Sequence, residues 1–258
     1  HWTPGRDILA GEDVLIPSNA VFYPYDSRGL VVQLFQSDPV GLASGNAREE
    51  AILHGLLEVL EMDALSRAER QRDMGRKIAV DIPGPARDLL EKFERAGIDI
   101  HLWFLKGRTR VPVVAAASDD TGAKDPGLLV MGSACHPDPE IAVERALLDV
   151  AFSRASYIGG WLSSPQRDML LAHAGYERMK RINREWFAPA QSLALSSIPG
   201  CSTQWIDEDI ALILDDLQRT LERVCIVDMK AAPLPVVRVV VPGLEVSHLH
   251  KDRRVAGQ

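Results

Sequence analysis

The order of apolar runs predicts an α/β fold, with α+β the alternative label: a mixed sheet covered by helices. Three observations carry that expectation. Short β-branched runs recur along the chain, as in Ile98–Leu105, Val111–Ala117 and Val236–Val241. Long stretches with helical periodicity separate some of them, above all from Ala47 to about Arg70. Strands and helices alternate in places and cluster in others, which argues against a purely parallel sheet.

The elements follow in order. His1 to Tyr25 is rich in Pro and Gly and holds one short strand, Asp13–Ile16. Leu30–Phe35 (LVVQLF) reads as a buried strand, and the small residues after it lead into the long helix. Asn46 is a suitable N-cap there, with Glu49 three residues on to reach back. Ile78–Ile82 is a strand, and Pro85 opens an amphipathic helix to about Ala96. Strands are expected at Ile98–Leu105, Val111–Ala117 and Leu128–Ser133, then two or three helices over Asp138–Trp186. A helix at Asp207–Glu222 and strands at Val224–Asp228 and Val236–Val241 complete the order. No linker offers a place to cut the chain, so residues 1–258 read as a single domain.

Composition narrows the function. Hydrophobic residues make up 46% and charged residues 25%, a globular proportion. A net charge of −7 argues against a nucleic-acid binder, which needs a basic stripe. Lys106, Arg108 and Arg110 are too few to form one and read as a solvated turn. No run reaches the roughly 20 apolar residues of a membrane span. Three distant cysteines, Cys135, Cys201 and Cys225, suggest neither a disulfide framework nor a zinc site, so a reducing cytoplasm is the expected home.

The long helix holds the main chemical signal. At about 100° per residue, Ile52, Leu53, Leu56, Leu57, Leu60 and Ala64 form a core stripe. Glu50, His54, Glu58 and Glu61 share another face, spanning roughly 80°, with no Lys or Arg in the row. Such a row is either a solvated acidic surface or a set of ligands awaiting a cation. Gly41, Ser44, Gly45 and Asn46 form a small-residue turn entering the helix N-terminus, where exposed N–H groups can hold phosphate. Together these suggest a metal–nucleotide site, though neither G-x-x-x-x-G-K nor G-x-G-x-x-G is present.

Three ordered blocks resemble the YcaO family of ATP-dependent enzymes that modify peptide backbones. GLASGNAREEAILHGLLEVLEMDAL is similar to the family signature at Gly41, Gly45, Asn46, Glu50, Ala51, Gly55, Leu56, Glu58 and Glu61. HPDPEIAVERALLDVAFSR resembles a later family helix at Arg145, Ala146, Leu147 and Arg154. PVVRVVVPGLE, Pro235 to Glu245, resembles the closing strand and turn. The resemblance implies ATP and Mg2+ as cofactors. It places Asn46, Glu50 and Arg154 at the nucleotide and Glu50, Glu58 and Glu61 at magnesium. It implies a reaction in which a peptide amide is activated by phosphorylation, giving a thioamide or an azoline. His54, where relatives often carry Gln, is read as a further nucleotide contact.

The chain departs from the family pattern at Met62, where an arginine is usual, and at Asp149 and Phe152, where Glu and Gln are usual. The segment around Ser37–Val40 matches the S-N-G start loosely, and no earlier acidic helix is seen, so the chain reads as lacking the family's N-terminal portion. The expected partners are a peptide or protein substrate, a TfuA-type or E1-like protein, and a second copy of the chain. The rival readings are a non-catalytic scaffold and a metal-dependent hydrolase. Arg145 reads as a structural salt-bridge residue, and Cys135–His136 as structural because neighbours on a strand face opposite sides. His248 and His250 form an H-x-H pair read as a solvated tail.

Overall fold

The structure is a computed structural model that describes residues 1–25, 37–161, 164–229 and 234–245. In chain order it forms β1 (Trp2–Asp7), β2 (Glu12–Pro17), α1 (Ser18–Val21), β3 (Leu42–Ser44), α2 (Arg48–Gln71), β4 (Arg76–Ala79) and α3 (Pro85–Arg95). Next come β5 (Asp99–Leu105), β6 (Val113–Asp119), β7 (Met131–Cys135), α4 (Pro139–Ile158), α5 (Pro165–Ala174), α6 (Tyr176–Ile182) and α7 (Arg184–Phe187). The remainder are β8 (Ser192–Ala194), α8 (Ile206–Leu217), β9 (Cys225–Asp228) and β10 (Val236–Val240). Among these residues no helix is long and apolar enough to cross a membrane. No two of the three cysteines are bridged.

The fold is mixed α and β, but it has two five-stranded sheets rather than one. The first, ordered β2-β1-β9-β10-β3, is antiparallel throughout and draws its strands from both ends of the chain. The second, β7-β6-β5-β4-β8, is antiparallel except where β8 joins β4 in parallel. Periodicity shows that strands exist; it does not show which of them pair. Contacts divide the chain into two compact units, one of His1–Ser66, Arg108–Arg110 and Ser202–Gln258, the other of Arg67–Gly107 and Val111–Cys201.

Most expected elements are present with shifted ends. The strand expected at Asp13–Ile16 lies in β2, and its partner β1 runs through a stretch that reads as turn-forming because of Pro4 and Gly5. Both residues fit, because β1 meets β9 only at Arg6 and Asp7. The expected Leu30–Phe35 strand lies outside the described residues. Four helices, not two or three, fill the region up to Phe187, and β8 was not expected at all. Helix α8 stops at Leu217, five residues short of the expectation.

In the first unit, Ala51, Ile52, Leu53, Leu56, Leu57, Leu60 and Ala64 of α2 are all buried, as the stripe requires. The buried Asp63, 1% exposed, accepts from Arg108 Nε at 3.0 Å and from the Glu245 N–H at 2.9 Å. Arg110 grips Asp216 through both Nε and Nη2, at 3.0 and 2.7 Å. Residues 106–110, read as a solvated turn, thus include two arginines engaged with buried carboxylates.

The second unit packs α3 and α4 on β5–β7 around Leu102, Val114, Ala116, Val143, Leu147 and Val150. Gly132 of β7 lets α4 approach closely, since a Cβ there would sit 2.6 Å from both Ala146 O and Val150 N. The α6–α7 segment is held polar group by polar group. Asp119 accepts from Tyr176 Oη and from Lys180 Nζ, the latter at 2.5 Å. Trp103 Nε1 donates to the Trp186 carbonyl at 3.0 Å, and the His101 ring meets Phe187 edge to face. Lys77 Nζ donates to His101 Nδ1 at 3.1 Å, which requires that nitrogen to be unprotonated.

Burial pushes the His101 imidazole below its ordinary range; Lys77 adds to this, Asp119 and Asp99 oppose it, and Lys180 again lowers it. A base weakened by folding stabilises the fold fully above its unfolded value of about 6.5 and loses that contribution as pH falls below it. Melting temperature should therefore drop between pH 7.5 and 5.5, and the drop should be smaller in His101→Asn, as read by calorimetry across that range.

Candidate functional site

The acidic face of α2 is set by a close crossing. A Cβ on Gly55 would lie 2.5 Å from Val239 Cγ2 and 3.1 Å from the Gly41 carbonyl. Gly41 has φ of +84°, and a Cβ there would strike the Val239 carbonyl at 2.3 Å. The Gly41 carbonyl accepts from the Val239 N–H at 2.7 Å, and β3 continues the pairing to β10 through Val237↔Ala43. Two glycines thus seat α2 directly on backbone, and the segment 41–46 runs beside the helix.

That placement brings the segment's polar groups to the predicted row. Glu50 Oε2 accepts both the Asn46 N–H, at 2.7 Å, and Asn46 Nδ2, at 3.1 Å. The reach-back expected of Glu49 is therefore made by Glu50. Those two Asn46 donors hold the Glu50 carboxyl below its ordinary range. His54 Nδ1 lies 3.2 Å from the Ser44 carbonyl, so it carries the hydrogen. Glu58 Oε2 accepts the Gly41 N–H at 3.0 Å. Glu61, half-buried, follows on the same face.

Burial pushes the Glu58 carboxyl above its usual range, while the Gly41 N–H and then Arg238 pull it back. Arg238 was not expected in the site. Only 5% exposed, it donates from Nε to the Ala20 carbonyl at 3.0 Å and from Nη2 to Asp38 at 3.3 Å. Its Nη1 is buried with no hydrogen-bond partner among the described residues. The signal was present in the sequence as a lone arginine inside an apolar strand, PVVRVVVP, since a buried charge needs counter-charges near it.

Arg154 belongs to the other unit. It is 7% exposed and donates to Asp120 Oδ2 at 2.9 Å and to the Leu128 carbonyl at 3.2 Å. Asp149 accepts the Ser133 N–H at 3.2 Å, and Phe152 is 62% exposed. Arg145 is exposed. Cys135 is buried, and His136 Nδ1 accepts the Asp138 N–H at 3.0 Å just before α4. His248 and His250 lie outside the described residues.

Among the described residues, no three His, Cys, Asp or Glu side chains converge on a single point. The donor chemistry of the α2 face nevertheless suits a hard divalent cation. Glu58 is anchored by the Gly41 N–H, and Glu50 by Asn46 and, more weakly, the Ala47 N–H.

Residues 1–245 match a family model described as YcaO cyclodehydratase, binding ATP and Mg2+. An uncharacterized protein of Methanothermobacter thermautotrophicus is 46% identical over 260 residues, covering 98% of this chain and 67% of that protein. A protein of Rhizobium leguminosarum bv. trifolii, described by its place in the tfuA 3' region, is 32% identical over 268 residues, covering 95% and 61%. Among solved structures, YcaO from Methanopyrus kandleri bound with AMPPCP and Mg2+ superposes with a TM-score of 0.81 at 32% identity, covering 98% of this chain and 66% of that one. The chain thus spans about two thirds or less of the length of these relatives.

The crossing at Gly55 has a measurable consequence. Gly55→Ala should overpack α2 against β10 and cost about 1–3 kcal/mol, read by denaturant unfolding, despite the better helix propensity of alanine.

Proposed function

The chain belongs to the YcaO family, and on that premise we propose that it takes part in ATP- and Mg2+-dependent activation of a peptide backbone amide. The observation that carries this reading is the α2 face: Glu50 and Glu58 anchored by backbone N–H groups of the Gly41–Asn46 segment beside them. When bound, magnesium–ATP would supply the transferable phosphoryl group and neutralise charge developing on its oxygens.

The chain's own residues would divide the work. Asn46 fixes Glu50 through two hydrogen bonds, so the carboxylate stays ionised and held in place. Gly41 holds Glu58 through a single N–H, against the burial that raises its carboxyl, with Arg238 supplying compensating charge. Glu61 extends the ligand row by one turn. Arg154 would serve phosphate by resemblance, though two of its nitrogens are occupied by Asp120 and Leu128.

The finer reading is the thioamide-forming branch acting with a TfuA-type partner. It is supported by the Rhizobium relative, named for its place in the tfuA 3' region. A non-catalytic scaffold is the second reading, favoured by the absence of converging ligands among the described residues and by Met62 in place of arginine.

Magnesium–ATP should raise the melting temperature of the full-length protein. At 100 times its dissociation constant the ligand adds about 2.7 kcal/mol. Glu58→Gln and Glu61→Gln should each abolish the rise while leaving the unliganded melting temperature within a few degrees. No shift in the wild-type protein would favour the scaffold.

A further inference from the structure

A cavity of about 560 Å³ lies within the first unit, apart from the acidic row. Its wall is mainly aliphatic, with Val14 and Ile16 of β2, Val40, Val59 of α2 and Val240 of β10 taking part. No aromatic ring lines it among the described residues. The volume is in the range of small-ligand sites. Two wall residues are chain neighbours of the acidic face, since Val40 precedes Gly41 and Val59 follows Glu58.

Three charged side chains also line the cavity: Asp38, Arg223 and Arg238. Arg223 is exposed, so its charge is screened by solvent. Arg238 is buried, and its guanidinium spends Nε on the Ala20 carbonyl and Nη2 on Asp38. Its Nη1 has no acceptor among the described residues and is shut off from solvent, so water does not supply one. A ligand acceptor seated against the guanidinium would complete the set. Charge decides what kind of acceptor fits. The guanidinium already meets Asp38 at 3.3 Å, and the Glu58 charge acts on it too, so one cation answers two carboxylates. A further anion would add repulsion, whereas an amide carbonyl brings lone pairs without net charge.

We infer that this cavity receives an uncharged, aliphatic residue of the peptide substrate, with a backbone carbonyl accepting from Arg238. The inference rests on the proposed function for the source of that amide and deepens it, because it states which side chains the substrate carries beside the nucleotide face: leucine, isoleucine or valine rather than charged or aromatic ones.

The test uses the full-length protein with methyl-labelled valine, leucine and isoleucine, and N-acetyl-leucine N-methylamide as the probe. Saturable methyl shifts should appear at Val14, Ile16 and Val240, with nuclear Overhauser contacts from the probe to those methyls. 4-Methylpentanoate, a similar aliphatic body ending in a carboxylate, should bind at least about tenfold more weakly. Ala20→Leu, which narrows the cavity while keeping the Ala20 carbonyl, and Val14→Phe should each abolish the probe contacts. The contacts in the wild-type protein locate the site even where neither variant folds. No contact with the cavity methyls up to the solubility limit of the amide, or equal or tighter binding of the carboxylate, would overturn the inference; stabilisation by magnesium–ATP would still leave the proposed function standing. Cavity binding of the amide in a protein that magnesium–ATP does not stabilise would overturn the proposed function and, with it, the assignment of the cavity to a substrate.

Discussion

The contact between α2 and β10 at Gly55 constrains everything around it. With a hydrogen in place of a side chain at Gly55, and a left-handed backbone at Gly41, the helix lies against the strand at backbone distance. The 41–46 segment is then squeezed alongside the helix and has few directions in which to place its N–H and C=O groups. They meet side chains of the helix: Gly41 N–H with Glu58, Ser44 C=O with His54, Asn46 N–H with Glu50. The spacing of eight residues between Glu50 and Glu58 is matched by five along the extended segment, since a strand rises about twice as fast per residue as a helix. One steric condition thereby orients a whole row of polar side chains.

Charge burial is the second consequence. Glu58 is half-buried and Arg238 almost wholly so, yet β10 is otherwise apolar. Desolvation raises the Glu58 carboxyl and lowers the Arg238 guanidinium, and each opposes the shift of the other. Asp38 joins them by its 3.3 Å contact with Arg238. A buried pair of this kind contributes little to net stability compared with apolar residues of similar volume. What the arrangement does is hold the Glu58 carboxylate, anchored by the Gly41 N–H, on the helix face.

Much of this was legible in the sequence, and the limits follow from physics. The α2 core stripe and the acidic row were visible because helical periodicity is local, and the observed helix differs by one residue at each end. Glu50 rather than Glu49 reaching back was not visible, since capping geometry depends on where the first turn begins. Arg238 and Asp38 meet across 200 residues, and no spacing rule links them. The pairing of β1 with β9 and of β3 with β10 is equally non-local, which is why one sheet was expected and two are found. The division of the chain into two units has no composition signal, because Arg108–Arg110 joins the first unit through ion pairs rather than through an apolar run.

Arg154 and Glu58 show why matching a family position does not by itself define a role. Both fall on the quoted family blocks, and both are charged groups removed from much of the solvent. Arg154 has an ion partner in Asp120 and a carbonyl at Leu128, so its charge is already compensated within its own unit. Recruiting it to a phosphate would mean sharing or exchanging those bonds, and a buried polar group left without its partner is costly. Glu58 is in the reverse state: one N–H satisfies one oxygen, burial raises its energy as an anion, and a cation would relieve it. The same charge chemistry thus leaves Arg154 compensated and Glu58 only partly so.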